Sequence, residues 1–174
     1  MPLSRRARLR RTGLLCLHTL RNLAYHRAIA ESRQPWREQQ FWIAAHNNYI
    51  DVAILEWCKL FTDRAGMHHW RKSVTRPKEF TAELYAALRS DVASFQTYAL
   101  SVKVYRGTFV AHLDEENDIN IPRMSIAKLS TQSLYEWLQH HEDDCNAFHD
   151  APLRADRYYA ECFTHARRVL LGEA

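Results

Sequence analysis

Along most of this chain the apolar residues return every three or four positions, the spacing that lays them on one face of an α-helix. From about residue 5 to 31, Leu17, Leu20, Leu23 (or Ala24) and Ala28 share a face, with Gly13 as an interruption. A second helix is predicted from Pro35, a favourable first-turn residue, to about Phe61. Within it Phe41, Ala45, Tyr49, Ala53 and Trp57 step by four, while Trp42, Ile50, Ile54, Leu55 and Phe61 widen the stripe. Such a width belongs to a central helix buried on more than one side. Residues 62–66 close it as a loop, and Pro77 opens a shorter helix to about Leu88. Ser90 is placed to cap the next helix. There Val92, Phe95, Ala99, Val102, Arg106, Phe109 and Leu113 alternate steps of three and four, with one arginine inside the apolar stripe. The acidic run 114–118 ends that helix, residues 119–122 are extended, and helices follow at about 130–148 and 153–171.

Composition reinforces an all-α reading. The chain holds only four Gly and five Pro in 174 residues. A β-rich protein of this length needs more turn residues than that. One domain is expected, with no repeat or long linker, although residues 1–34 stand apart as a basic helix or arm before a helical unit at 35–174. Residues 1–40 carry nine Arg against Glu31 and Glu38, a net +7, whereas the remainder carries a net −3. That arm has the charge to attract phosphates. The apolar stretch Gly13–Leu17 is too short for a signal peptide and is followed by His18, Arg21 and Asn22. No segment has the run of about 18 apolar residues that a membrane span requires, so no membrane partner is expected. Cys16, Cys58, Cys145 and Cys162 are scattered and read as reduced thiols, which points to the cytoplasm.

Candidate chemistry starts from Arg106, because a guanidinium on a core face needs a partner or a cleft. His112 follows it after five intervening residues. On RNA such a pair has a use: the histidine moves a proton at a ribose hydroxyl and the arginine holds the scissile phosphate. Spacing alone carries no weight, since about three such Arg–His pairs arise by chance in a chain of this composition. Context selects among them. The stretch Val104-Tyr105-Arg106-Gly107-Thr108-Phe109-Val110-Ala111-His112-Leu113-Asp114 resembles the signature of the HEPN superfamily, more specifically its AbiU-type abortive-infection branch. Tyr49–Cys58, His69-Trp70 and the Ile-Pro before Leu134-Tyr135-Glu136-Trp137-Leu138 fit the same ordered pattern, over roughly residues 36–140.

The resemblance implies a HEPN-like helical bundle forming a two-fold dimer, with the Arg–His motifs of two protomers facing one cleft. It implies a metal-independent endoribonuclease of a toxin–antitoxin or phage-defence system, with RNA as substrate, an antitoxin protein as a possible partner and no cofactor. Arg106 and His112 would be catalytic. The chain departs from the family at Gly107, where a polar residue is usual. Tyr105, Asn47 and Asp51 are weaker candidates for lining the same cleft, and Arg21 with His26 is the second-choice motif. The adjacent pairs His68-His69 and His140-His141 point apart on a helix and make no ready chelate, so no metal site is expected. Glu142–Asp144 reads as a solvated helix end. The competing account is a catalytically inactive HEPN module that binds a nucleotide, an RNA or a partner protein.

Overall fold

A computed structural model describes residues 3–32, 39–110 and 121–173, the side chains of residues 109 and 110 excepted. The described residues form six α-helices and no strand: α1 (Arg5–Glu31), α2 (Gln40–Phe61), α3 (Pro77–Leu88), α4 (Val92–Tyr105), α5 (Met124–Trp137) and α6 (Ala155–Leu171). A five-residue π-helical turn prolongs α4 over Arg106–Val110, and another prolongs α5 over Leu138–Glu142. The all-α expectation therefore holds. No described helix is long and apolar enough to cross a membrane.

The helix packed most extensively is α1, which lies against α2, α5 and α6. Its Leu9, Cys16, Leu17, Leu20, Leu23 and Ala24 all enter the main core. Burial on several sides brings polar side chains inside as well, and they are satisfied locally. Thr19 Oγ1 donates to the Leu15 carbonyl and Asn22 Nδ2 to that of His18, both at 2.8 Å. Gly13 is there for space: a Cβ would sit 2.2 Å from Cε1 of Phe148, whose ring packs on the helix backbone. A glycine that looks like a weakness in the pattern is thus a contact point.

Several arginines of α1 are neutralised within the chain. Arg5 donates to Glu142 and Asp144, Arg10 pairs with Asp150, and Arg27 meets Glu31 at 2.7 Å. The charge read from residues 1–40 is therefore only partly available to a ligand.

Elsewhere the elements depart from the expected bounds in ways that packing explains. The first part of α2 is more open than predicted, with Phe41 70% exposed, and full burial begins at Ile50. The proposed start at Pro35 lies outside the described residues. From Trp57 onward α2 anchors an aromatic cluster with Phe61, Phe95 and Tyr98, and Trp57 Nε1 donates to Ser130 Oγ at 2.9 Å. Pro77 opens α3 as expected, and Arg89 ends it in the left-handed region at φ 48°. Asp91, not Ser90, caps α4: its carboxylate accepts from Ser94 N at 2.7 Å. Val92 lies exposed off the buried stripe, whereas Phe95, Tyr98, Val102 and Tyr105 face inward. Helix α5 starts at Met124 and gives way to the π-helical turn at Leu138, earlier at both ends than the sequence pattern indicates.

Glu142 corrects a further expectation. It is 1% exposed, not solvated, and its carboxylate accepts from Thr75 N (2.7 Å), Thr75 Oγ1, Trp137 Nε1 and Arg5 Nη2. One buried anion thereby joins the start of α1, the segment before α3 and the end of α5.

Candidate functional site

The α-helical ladder of α4 stops at Tyr105, and Arg106 opens the π-helical turn. Turns of this kind insert an extra residue into the helical repeat and recur at functional sites. Arg106 is half-buried, and Nη1 donates to both oxygens of Asp63, at 2.8 and 2.9 Å. Asp63 belongs to the loop that leaves α2, so the pair ties the end of α4 to that loop. The Asp63 hydrogen bond raises the Arg106 pKa further above its ordinary value. It also explains how an arginine sits on a largely apolar stripe: one edge of the guanidinium is paired, while Nε and Nη2 donate to no group among the described residues.

Beside this pair opens a cleft of about 770 Å³, lined by residues of the α2–α3 loop and one face of α4. Arg64, Arg71, Lys103 and Arg106 contribute positive charge, and Asp63 contributes negative charge. Its apolar part comes from Phe61, Trp70, Tyr85 and Phe95. Arg71 stacks over the Trp70 ring, 4.9 Å from the centroid. His69 also lines the cleft but is only 2% exposed. Its Nδ1 accepts from Arg71 N, and Nε2 lies 3.3 Å from the Phe61 carbonyl. Burial pushes the His69 pKa down. A neutral ring with Nε2–H donating to that carbonyl satisfies both contacts, so this histidine shapes the loop.

The structure scatters the sequence candidates. Arg106 lies in the cleft, whereas His112 lies outside the described residues. Tyr105 is buried, on another side of α4, where its pKa is raised by burial and by the charge of Asp51. Asp51 is half-buried and burial pushes its pKa up; Asn47 is exposed. None of Tyr105, Asn47 and Asp51 lines the cleft at Arg106. In the second-choice motif, the His26 ring stacks on His46 with centroids 3.9 Å apart, and its Nδ1 lies 3.2 Å from the His46 carbonyl oxygen. Burial lowers the His26 pKa. The charge of Arg21 reaches Glu56 and Tyr158 instead. The ring stacking and the carbonyl contact account for His26 as packing between α1 and α2.

Sequence reasoning missed Asp63, Arg64, Arg71 and Lys103. Lys103 and Arg106 have a readable i, i+3 spacing. The loop residues had no periodicity to mark them. Among the described residues no group of three His, Cys, Asp or Glu side chains is arranged to hold a metal ion. No protein-family model matches this sequence, and neither a curated protein nor a solved structure matches it.

Proposed function

We propose that this chain is an RNA-cleaving helical protein of HEPN type, in which the cleft at Arg106 receives a phosphate of the strand. The observation that carries the reading is the placement of Arg106. It opens a π-helical turn at the edge of a cationic cleft, with one nitrogen held by Asp63 and the rest of the guanidinium unpaired among the described residues. Asp63 fixes the direction of the fork and leaves donors for a phosphate oxygen. A guanidinium held in advance stabilises the charge that builds on the phosphorus oxygens during attack without reorganising. His112, six positions on, is the group proposed to take the proton from the ribose 2′-hydroxyl. The resulting cleavage requires no metal ion and spares DNA. A second copy of the chain is proposed to complete the cleft, with a protein antitoxin as the natural antagonist and the cytoplasm as its place. Val102 is covered by its own chain; the apolar surface left to a second copy on α4 is Val92, Leu100 and Val104.

A second reading, an inactive RNA-binding module, is favoured by Gly107. A Cβ at this position would meet no described residue within 4 Å, so none of them demands a glycine where the family carries a polar residue. One assay separates the two. Purified protein is incubated with single-stranded RNA and with DNA in excess EDTA, beside Arg106→Ala and His112→Ala of unchanged helicity. Cleavage of RNA alone, lost in both variants, supports the nuclease. Binding without cleavage selects the module, and cleavage undiminished in His112→Ala removes the proposed mechanism.

A further inference from the structure

The α2–α3 loop collects positive charge beyond the cleft itself. Arg8 Nη1 donates to the Lys72 carbonyl at 3.0 Å, and Thr12 and Ser73 hydroxyls meet at 2.9 Å, so the first turns of α1 run directly beside the end of this loop. His68 reports the same convergence. Its pKa is lowered by burial first and then by the charges of Arg11 on α1 and Lys59 on α2. The charges that reach neighbouring His69 are those of Arg71, Arg64 and Lys72, all positive. Arg64 and Arg71 in turn line the cleft with Lys103 and Arg106. Four separate stretches of the chain thus place their cations around one loop. Arg5, Arg10 and Arg27 of α1 are consumed by carboxylates, whereas Arg8 donates to this loop, Arg11 directly precedes Thr12, which meets it at Ser73, and Lys59 lies in the last turn of α2 from which it departs.

We infer that this shelf is a strand-binding surface: a single-stranded RNA leaves the Arg106 cleft, passes over Arg64 and Arg71, and continues onto Lys59 and Arg11 at the α1 edge. The inference rests on the RNA reading of the cleft and deepens it by giving the substrate a length and a direction. Asp63, paired with Arg106, and Glu56, which lies near Lys59 and His18, offset only part of this charge, and the remaining like charges are costly to the free protein and are relieved by a polyanion. A single strand is favoured over a duplex because the cleft end is a pocket of nucleotide dimensions with the half-buried Tyr85 ring on its wall, a platform for an unpaired base. The shelf makes contact through phosphates, so it adds affinity and positioning and carries no base specificity.

The test uses the full chain and a 2′-O-methyl oligouridylate, which cannot be cut through a 2′-hydroxyl, in long form and as a dinucleotide. Binding is followed by fluorescence anisotropy across a salt series. The long probe should bind far more tightly than the short one. The double variant Arg11→Glu, Lys59→Glu should weaken the long probe about tenfold or more and leave the dinucleotide unchanged, with a salt slope shallower by about 1.4, two contacts at about 0.7 each. Arg157→Glu with Arg168→Glu on the exposed face of α6 makes the same change in net charge and should have little effect. The milder Arg11→Ala, Lys59→Ala pair should show a smaller loss of the same kind, which guards against misfolding of the charge-reversed protein. Equal losses from the α6 pair, equal affinity for long and short probes, or tighter binding of a duplex would each overturn the shelf. Tight binding of the long probe, with unmodified RNA left uncut, keeps the shelf and rejects the nuclease.

Discussion

Leu138–Glu142 and Arg106–Val110 are both five-residue π-helical turns that prolong an α-helix, yet their ionised side chains are used in different ways. Glu142 ends the first turn fully buried, with hydrogen-bond donors from two other parts of the chain, Arg5 and Thr75, and from Trp137. Arg106 begins the second turn half-exposed, with one nitrogen on one carboxylate. Where every lone pair is filled from within, the distortion serves the fold. Where donors remain directed at a cleft, the turn has the free hydrogen-bonding capacity that the proposed ligand site requires. The same backbone irregularity therefore has no single meaning, and the satisfaction of its polar groups separates the two uses.

The largest expected effect is at the closed turn. Glu142→Ala leaves the Thr75 N–H and the buried Trp137 Nε1–H facing a void and takes one carboxylate from the partly exposed Arg5, and should cost about 2–4 kcal/mol in chemical denaturation. The same carboxylate predicts an acid limb. Burial alone would raise its pKa, but the Thr75 backbone N–H, with Arg5 and Trp137, outweighs burial and holds it below the ordinary value. Its contribution is therefore complete above the unfolded glutamate pKa of about 4.3 and is lost as pH falls through the lower folded value. Denaturation followed from pH 7 down to pH 3 should show wild type losing stability that Glu142→Gln no longer has to lose. Equal slopes in the two proteins would deny the role of Glu142. Next in size is Gly13→Ala, just across from the segment that follows this turn. Displacing the Phe148 ring should cost about 1–3 kcal/mol, read by thermal unfolding.

At the open turn the stability effects shrink and the ligand effects grow. Asp63→Asn removes an ion pair between partly exposed groups, worth no more than about 1 kcal/mol to the fold. It also removes the carboxylate from the cleft, so RNA should bind several-fold more tightly while cleavage per bound strand slows, because Arg106 is no longer aimed. Weaker binding in Asp63→Asn would mean that the carboxylate itself contacts the ligand. Smallest is Gly107→Ala. Gly107 lies outside the left-handed region and its added Cβ meets no described residue, so the change should stabilise the protein by up to about 1 kcal/mol. A loss of stability there would show that the turn needs glycine.

Periodicity made the helices legible, because burial on one face is a property of spacing. Helix α3 and the bounds of α1 and α6 followed closely from Pro77, from the apolar spacing and from the flanking breakers. What spacing does not contain is which residue approaches from far along the chain. The partner of Arg106 is Asp63, 43 positions earlier, and that of Arg5 is Glu142, 137 positions later. Gly13 looked like a break because Phe148 is absent from any local window. Both π-helical turns were missed for a related reason: an inserted residue changes the helical phase without changing the residue types. Arg106 was found because a charge on an apolar stripe breaks the pattern. The cations around it were not, since exposed loop residues break none.

Unfolding and RNA cleavage measured side by side on Arg106→Ala and Glu142→Gln test the distinction between the turns most directly. The account predicts a crossed result. Arg106→Ala should keep its Tm within about 2–4 °C of wild type and lose cleavage in EDTA. Glu142→Gln should lose more in Tm than Arg106→Ala does and, below its transition, cut RNA at the wild-type rate per folded molecule. An Arg106→Ala protein that unfolds as readily as Glu142→Gln, or that cuts RNA as fast as wild type, would contradict it.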